Sequence, residues 1–349
     1  MADRVRNLLT ALTFLMLIAV PMLIHLARQA PVDAGAENRS LAATPSLAGI
    51  RADWTAFPET VNAWMRDHFG LRRSYLKIGF ELEKVLPSSA DFKAVRGDDG
   101  WIFNTLNAAL ALHRGLLPFS AGEADAWLDG LELIEARAEA SGAVFIAAVA
   151  PNKHSIYPEY LSNYPRQVAG ETRLDEVQRR ARDRDLPLID LRPALRAAKS
   201  DTKVYYQTDS HWTDLGAYTG FVDLRRALVE RGIDVPDIPR DALRLREVTD
   251  FQGDLYGLLG EENGPPESIT AVRPPHARGA KAGSILLIGD SFITQIAKYF
   301  EGTFEKVDII DNAAGAPDLS KITPGTYDVV LFEIVERYLS RPLEPISGP

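Results

Sequence analysis

The chain has 349 residues, 46% hydrophobic and 25% charged, with a formal charge of −9 and no cysteine. That composition fits a globular protein with room for one large domain and an appendage, and excludes wholesale disorder. Without cysteine there can be no disulfide, zinc-thiolate site or thiol nucleophile, and the acidic balance with no Lys/Arg-rich run argues against nucleic acid as a partner.

Residues 1 to 30 form a segment of their own. Arg4 and Arg6 precede an uncharged run from Leu8 to Ile24, and His25 and Arg28 follow it. This is the layout of an export signal or signal anchor. The run reaches the lower limit for a spanning helix. An uncleaved anchor, with an exported remainder, is therefore expected over a cleaved signal peptide; Ala34-Gly35-Ala36 lies too far from the apolar run to make a good cleavage site. Residues 31 to 95 read as a linker, rich in Ala, Gly and Pro up to about Pro45, and then a helical segment. In it Trp54, Phe57, Val61, Trp64, Met65, His68 and Phe69 recur at threes and fours.

Residues 96 to 349 read as the main domain. A short strand is expected at Gly100 to Phe103 and a helix from Ala121 to Ser141. Val144 to Val149 is a short, uniformly apolar run, as a central parallel strand buried on both faces would be, and Pro151-Asn152-Lys153 marks the loop at its carboxyl end. A helix near Thr172 to Arg184 precedes a strand at Leu186 to Leu191, and another helix spans Thr213 to Arg231. Further strands are expected at Ser284 to Ile288, Glu305 to Ile310 and Tyr327 to Ile334. Strands separated by helices imply an α/β fold with helices on both faces of a mainly parallel sheet, whose working residues gather at the carboxyl ends of strands.

Two short runs then complete one another. Asp209-Ser210-His211-Trp212 precedes a helix, and Gly289-Asp290-Ser291-Phe292 sits at a corner between a strand and a helix. A serine hydroxyl is a weak nucleophile near neutral pH. It needs an imidazole to take its proton and a carboxylate to orient that imidazole, roles that Ser291, His211 and Asp209 fit. Asp290 reads as a turn and capping residue. The remaining histidines form no ligand spacing with His211, so no metal is expected; His154 is a spare base at a strand end. The Ser291 backbone N–H can serve an oxyanion hole, with Gly253, Asn152 or Lys153 as the second donor. Trp212 can stack on a sugar or pack against His211. Glu333 and Arg337 have the spacing of an ion pair on a helix, while Arg337 can alternatively bind an anionic sugar.

Taken together, the Asp-x-His-Trp and Gly-Asp-Ser-Phe runs, Pro151-Asn152-Lys153 and Tyr157-Pro158-Glu159-Tyr160-Leu161 resemble the SGNH-hydrolase-like proteins of alginate O-acetylation. Glu37-Asn38-Arg39, Asp67-His68-Phe69-Gly70-Leu71-Arg72, Gly100-Trp101-Ile102-Phe103, Gly253-Asp254-Leu255 and the run from Glu333 to Leu339 are similar to that family too. The resemblance implies a three-layer SGNH-hydrolase-like domain. It also implies an exported protein that transfers acetyl groups to hydroxyls of an exopolysaccharide, with no cofactor. The acetyl donor would come from a membrane-bound O-acyltransferase partner or as an acetyl ester. Ordinary SGNH esterases carry the serine before the Asp and His. Here Asp209 and His211 come first, as in the alginate family. The residues alone support only a serine acyl-enzyme, so an acetyl-polysaccharide esterase and a non-catalytic carbohydrate-binding component remain alternatives.

Overall fold

The computed structural model describes residues 93–164, 170–275, 280–312 and 316–345, with positions 45, 60, 61 and 64. The apolar run Leu8 to Ile24, the linker and most of the helical periodicity of residues 53 to 86 lie outside the described residues. Among the described residues no helix is long and apolar enough to cross a membrane. The chain divides into two units, Met1–Lys93 with Asp254–Gly264, and Ala94–Gly253 with Pro265–Pro349. Between Asp254 and Gly264 the first unit holds one helical turn, Leu255–Leu258. The second unit is an α/β domain.

Its framework is five parallel strands, in the order β4-β3-β9-β7-β8 among the described residues. They are β3 (Val144–Ala150), β4 (Leu188–Asp190), β7 (Ala282–Gly289), β8 (Phe304–Asp311) and β9 (Val329–Val335). The three central strands are apolar nearly throughout because both of their faces are covered. Alternate side chains enter two separate cores. Ile146, Ala148, Leu287, Leu331 and Val335 pack with Phe221, Leu224, Ile296 and Phe300. Those four belong to helices α4 (Asp214–Glu230) and α5 (Ser291–Thr303). On the other face Ala147, Ile288, Val330 and Phe332 pack with Trp127, Leu131 and Val177. These come from α1 (Glu123–Ala140) and α2 (Arg173–Asp183). A period of two along each strand thus produces three layers.

From the middle of the sheet the chain steps outward one way from β3 to β4 and the other way from β7 to β8, and β9 is inserted between the halves. The carboxyl ends of β3, β9 and β7 flank the point where strand order reverses, the favoured place for a site in such sheets. Two small antiparallel pairs lie outside this framework. One is β1 (Ala94–Arg96) with β2 (Ile102–Asn104), so the strand expected at Gly100 to Phe103 pairs away from the main sheet. The other is a ribbon of β5 (Arg244–Phe251) and β6 (Glu267–Arg273), which sequence patterning does not announce because β5 is exposed along most of its length.

Candidate active site

Ser291 is the first residue of α5, directly after β7. The turn is fixed by Asp290, whose two carboxylate oxygens accept from backbone N–H groups, Phe292 at 2.9 Å and Val335 at 2.8 Å. Asp290 is therefore a cap and a clasp between β7 and β9, as its place in the sequence implies. At a helix start the backbone N–H of Ser291 has no intrahelical acceptor, and the local dipole favours negative charge.

His211 arrives from a different direction, on the loop between Val204 and Thr213. Its Nε2 lies 2.7 Å from Ser291 Oγ and its Nδ1 lies 2.8 Å from Asp209 Oδ1. Asp209 Oδ1 also accepts from the His211 backbone N–H at 2.9 Å, so one oxygen holds the residue at both ends. With Nδ1 protonated toward the carboxylate, Nε2 is left as an acceptor for the serine proton. Asp209, His211 and Ser291 thus form one hydrogen-bonded line.

Several contacts hold the loop at this height. Buried Lys153 donates from Nζ to the carbonyls of Ile102 (2.6 Å), Tyr206 (2.9 Å), Gln207 (3.1 Å) and Asp209 (2.7 Å). Glu267, from β6, accepts from Gln207 N at 3.0 Å, Thr208 N at 2.8 Å and Thr208 Oγ1 at 2.7 Å. Beneath the loop, Gly216 of α4 allows close approach: a Cβ there would stand 2.1 Å from the Val204 carbonyl oxygen. Replacing Lys153 by Met is expected to cost roughly 3 kcal/mol of stability or more, because several carbonyls lose a charged donor at once. Denaturant unfolding checks this, and a loss under about 1 kcal/mol would mean that water takes over those carbonyls.

The other residues singled out in the sequence fall as follows. Lys153 is the anchor of the His211 loop, with its ammonium engaged by main-chain carbonyls, and does not act as an oxyanion donor. The Gly253 N–H donates to Thr208 Oγ1 at 3.0 Å, and a Cβ on Gly253 would stand 2.2 Å from the Thr208 carbonyl; this glycine is a close-packing position behind the loop. Asn152 follows β3 and donates its backbone N–H to Glu336 Oε2 at 2.8 Å. Trp212 is fully buried, edge-on to Phe292 at 5.3 Å between ring centroids, which leaves packing under His211 as its role and no face for a sugar. His154 contacts Phe103 and His113 rather than the triad. Burial above all, with the neighbouring His113, holds its pKa well below the ordinary value, so it stays neutral.

The helical pairing of Glu333 and Arg337 does not form. Glu333 lies within the buried strand β9, two residues before its end, and Arg337 lies in the 3-10 turn Glu336–Ser340 beyond it. No hydrogen-bond partner meets either carboxyl oxygen of Glu333 among the described residues. Burial, reinforced by the negative charge of Asp290, raises its pKa well above the usual carboxylate range. Between the unfolded pKa of about 4.3 and the raised folded pKa the folded chain holds a proton that the unfolded chain releases, so the group makes stability fall as pH rises, by about 1.4 kcal/mol per unit, up to the folded pKa. Glu333→Gln is expected to remove that slope. Unfolding free energies measured from pH 5 to 8 should converge for the two proteins at the acid end and favour the variant at the alkaline end; parallel profiles would show that Glu333 is ionised in the fold.

A five-stranded parallel sheet with Ser291 at the carboxyl end of β7, and with Asp209 and His211 on a loop that meets it, is an SGNH-like α/β fold. The family described as SGNH hydrolase-like domain, acetyltransferase AlgX, matches residues 94–306, and the chain belongs to that family. Among its relatives, the probable alginate O-acetylase AlgJ of Pseudomonas syringae pv. tomato is 24% identical over 325 residues, 83% of this chain and 79% of that protein. The probable alginate O-acetylase AlgJ of Pseudomonas aeruginosa is 28% identical over 169 residues, 47% of this chain and 40% of that protein. In fold the chain is similar to Bacillus cereus PatB1 with a sulfonyl adduct, with a TM-score of 0.51 and 14% identity over 73% of this chain and 98% of that one.

Proposed function

We propose that this protein is an O-acetyltransferase that moves acetyl groups onto hydroxyls of an exported polysaccharide, alginate or a similar polymer, through an acetyl-serine. The observation that carries this reading is the line from Asp209 Oδ1 through His211 to Ser291 Oγ, with contacts of 2.8 and 2.7 Å. Membership in an acetyltransferase family and the names of the AlgJ relatives support the choice of acetyl group and glycan.

In the first half-reaction Ser291 Oγ attacks the acetyl carbonyl while its proton passes to His211 Nε2. The tetrahedral intermediate collapses as the donor's leaving oxygen takes that proton. In the second, His211 accepts the proton of a sugar hydroxyl, which attacks the acetyl-serine; Ser291 leaves and recovers its proton from His211. Asp209 stabilises the imidazolium in both halves. No cofactor is needed. The donor is an acetyl ester or a partner, and a membrane-bound O-acyltransferase fits the requirement for acetyl supply. Residues 1 to 30 would tether the enzyme to the inner membrane with its site in the periplasm, the catalytic domain beginning near residue 96 after a linker and helical segment.

Water as acceptor would turn the same parts into an esterase, so the test must watch both products. The purified chain is incubated with an activated acetyl ester and a panel of oligosaccharides, and mass spectrometry follows the protein and the sugars. Acetylated sugar is the expected product. Free acetate with no acetylated sugar would replace the transferase reading by the esterase one.

A further inference from the structure

Arg337 packs its guanidinium against Phe292, the residue that follows Ser291. The residue is 8% exposed, yet its guanidinium makes no hydrogen bond or ion pair among the described residues. Its Cζ lies 5.5 Å from the centre of the Phe292 ring, and the same ring is 4.9 Å from the imidazole of His211. The Val335 N–H, two residues upstream, donates to Asp290 Oδ2 and ties this turn to the serine corner.

The nearby acids attract this charge but do not hydrogen-bond to it. Both oxygens of Asp290 are engaged by backbone N–H groups. Glu333 offers no hydrogen bond, and burial raises its pKa. A largely buried guanidinium that donates no hydrogen bond is ready to receive an anion. Acyl transfer creates such an anion at this place: when Ser291 Oγ bonds to the acetyl carbon, the carbonyl π pair moves onto oxygen and the Oγ proton goes to His211.

We propose that Arg337 is the charged donor of the oxyanion hole, binding the acetyl oxygen as it becomes negative while the Ser291 backbone N–H binds it from the helix start. The assignment rests on the acetyl-serine reading above. It supplies the second donor that Gly253 and Lys153 do not provide, and it comes from the loop after β9, the strand beside β7. Arg337 would release the oxygen as the carbonyl re-forms and the donor's leaving group departs with the proton from His211.

The test uses p-nitrophenyl acetate, a neutral donor with no carboxylate, and follows Ser291 acetylation of the full chain by intact mass. Arg337→Ala is expected to lower the acetylation rate constant about 10²- to 10³-fold, the usual loss for one oxyanion donor, with little change in half-saturation. Added ethylguanidinium should restore at least tenfold in the variant and nothing in the wild type, a response that a purely structural role would not give. Arg337→Lys keeps the charge without the fork and should fall between, and it carries the test if the alanine variant melts early. Acetylation of Arg337→Ala at the wild-type rate overturns the proposal; if only later transfer to uronate oligosaccharides then fails, Arg337 is a clamp for the acceptor's carboxylate. Labelling of Ser291→Ala equal to wild type sinks the acetyl-serine reading itself, whatever Arg337 does.

Discussion

Ser291→Ala is expected to lower acetyl transfer by at least about 10⁴-fold while leaving the melting temperature within a few degrees of wild type. The size follows from the geometry. The Ser291 hydroxyl meets Nε2, the nitrogen free to act as base. Ser210 cannot replace it, because its Oγ lies 3.4 Å from Nδ1, the nitrogen already given to Asp209. Deleting one oxygen from a partly exposed position costs a single hydrogen bond, to His211 Nε2, so stability should move by only about 1 kcal/mol. Initial rates of sugar acetylation, measured beside a thermal melt, check both halves. Retention of a tenth of the wild-type rate would remove Ser291 from the chemistry.

Asp209→Asn should reduce kcat by about 10³- to 10⁴-fold with a smaller effect on KM. Oδ1 of Asp209 receives two N–H groups, the backbone of His211 and its Nδ1. An asparagine that keeps its carbonyl oxygen there retains the geometry but loses the charge that stabilises the imidazolium. One that turns its amide toward the ring forces the other tautomer and points an Nε2–H at Ser291, where a base is needed. Either arrangement slows proton removal without touching the substrate. Single-turnover acetylation of Ser291 isolates that step; a loss below tenfold would mean that the imidazole is oriented by the loop alone.

The sheet could be read from the chain because its central strands are covered on both faces, which leaves unbroken apolar runs such as Val144 to Val149. The meeting of Ser291, His211 and Asp209 in one hydrogen-bonded line was equally legible. Ser, His and Asp carry reactive groups, and their neighbours mark a strand-to-helix corner and a helix start. The supports were not legible, since the partners of Lys153 are main-chain carbonyls and every residue has one. Glu267 was missed because its strand belongs to a ribbon whose other half, β5, is largely exposed and polar. Arg337 was noticed for its charge but assigned to the wrong local structure: a spacing of four suits a helix, and the apolar run before Glu333 was the stronger signal, for a strand that ends two residues before Arg337.

Glu267 also links two regions of very different burial. It is the contact through which the ribbon of β5 and β6 holds Gln207 and Thr208, immediately before Asp209. The ribbon adds few side chains to either core, whereas the serine corner stands on the most buried strands. The separation between His211 Nε2 and Ser291 Oγ therefore depends on a contact with the outer ribbon as well as on the buried core, and substitutions in the ribbon have a route to it through Glu267.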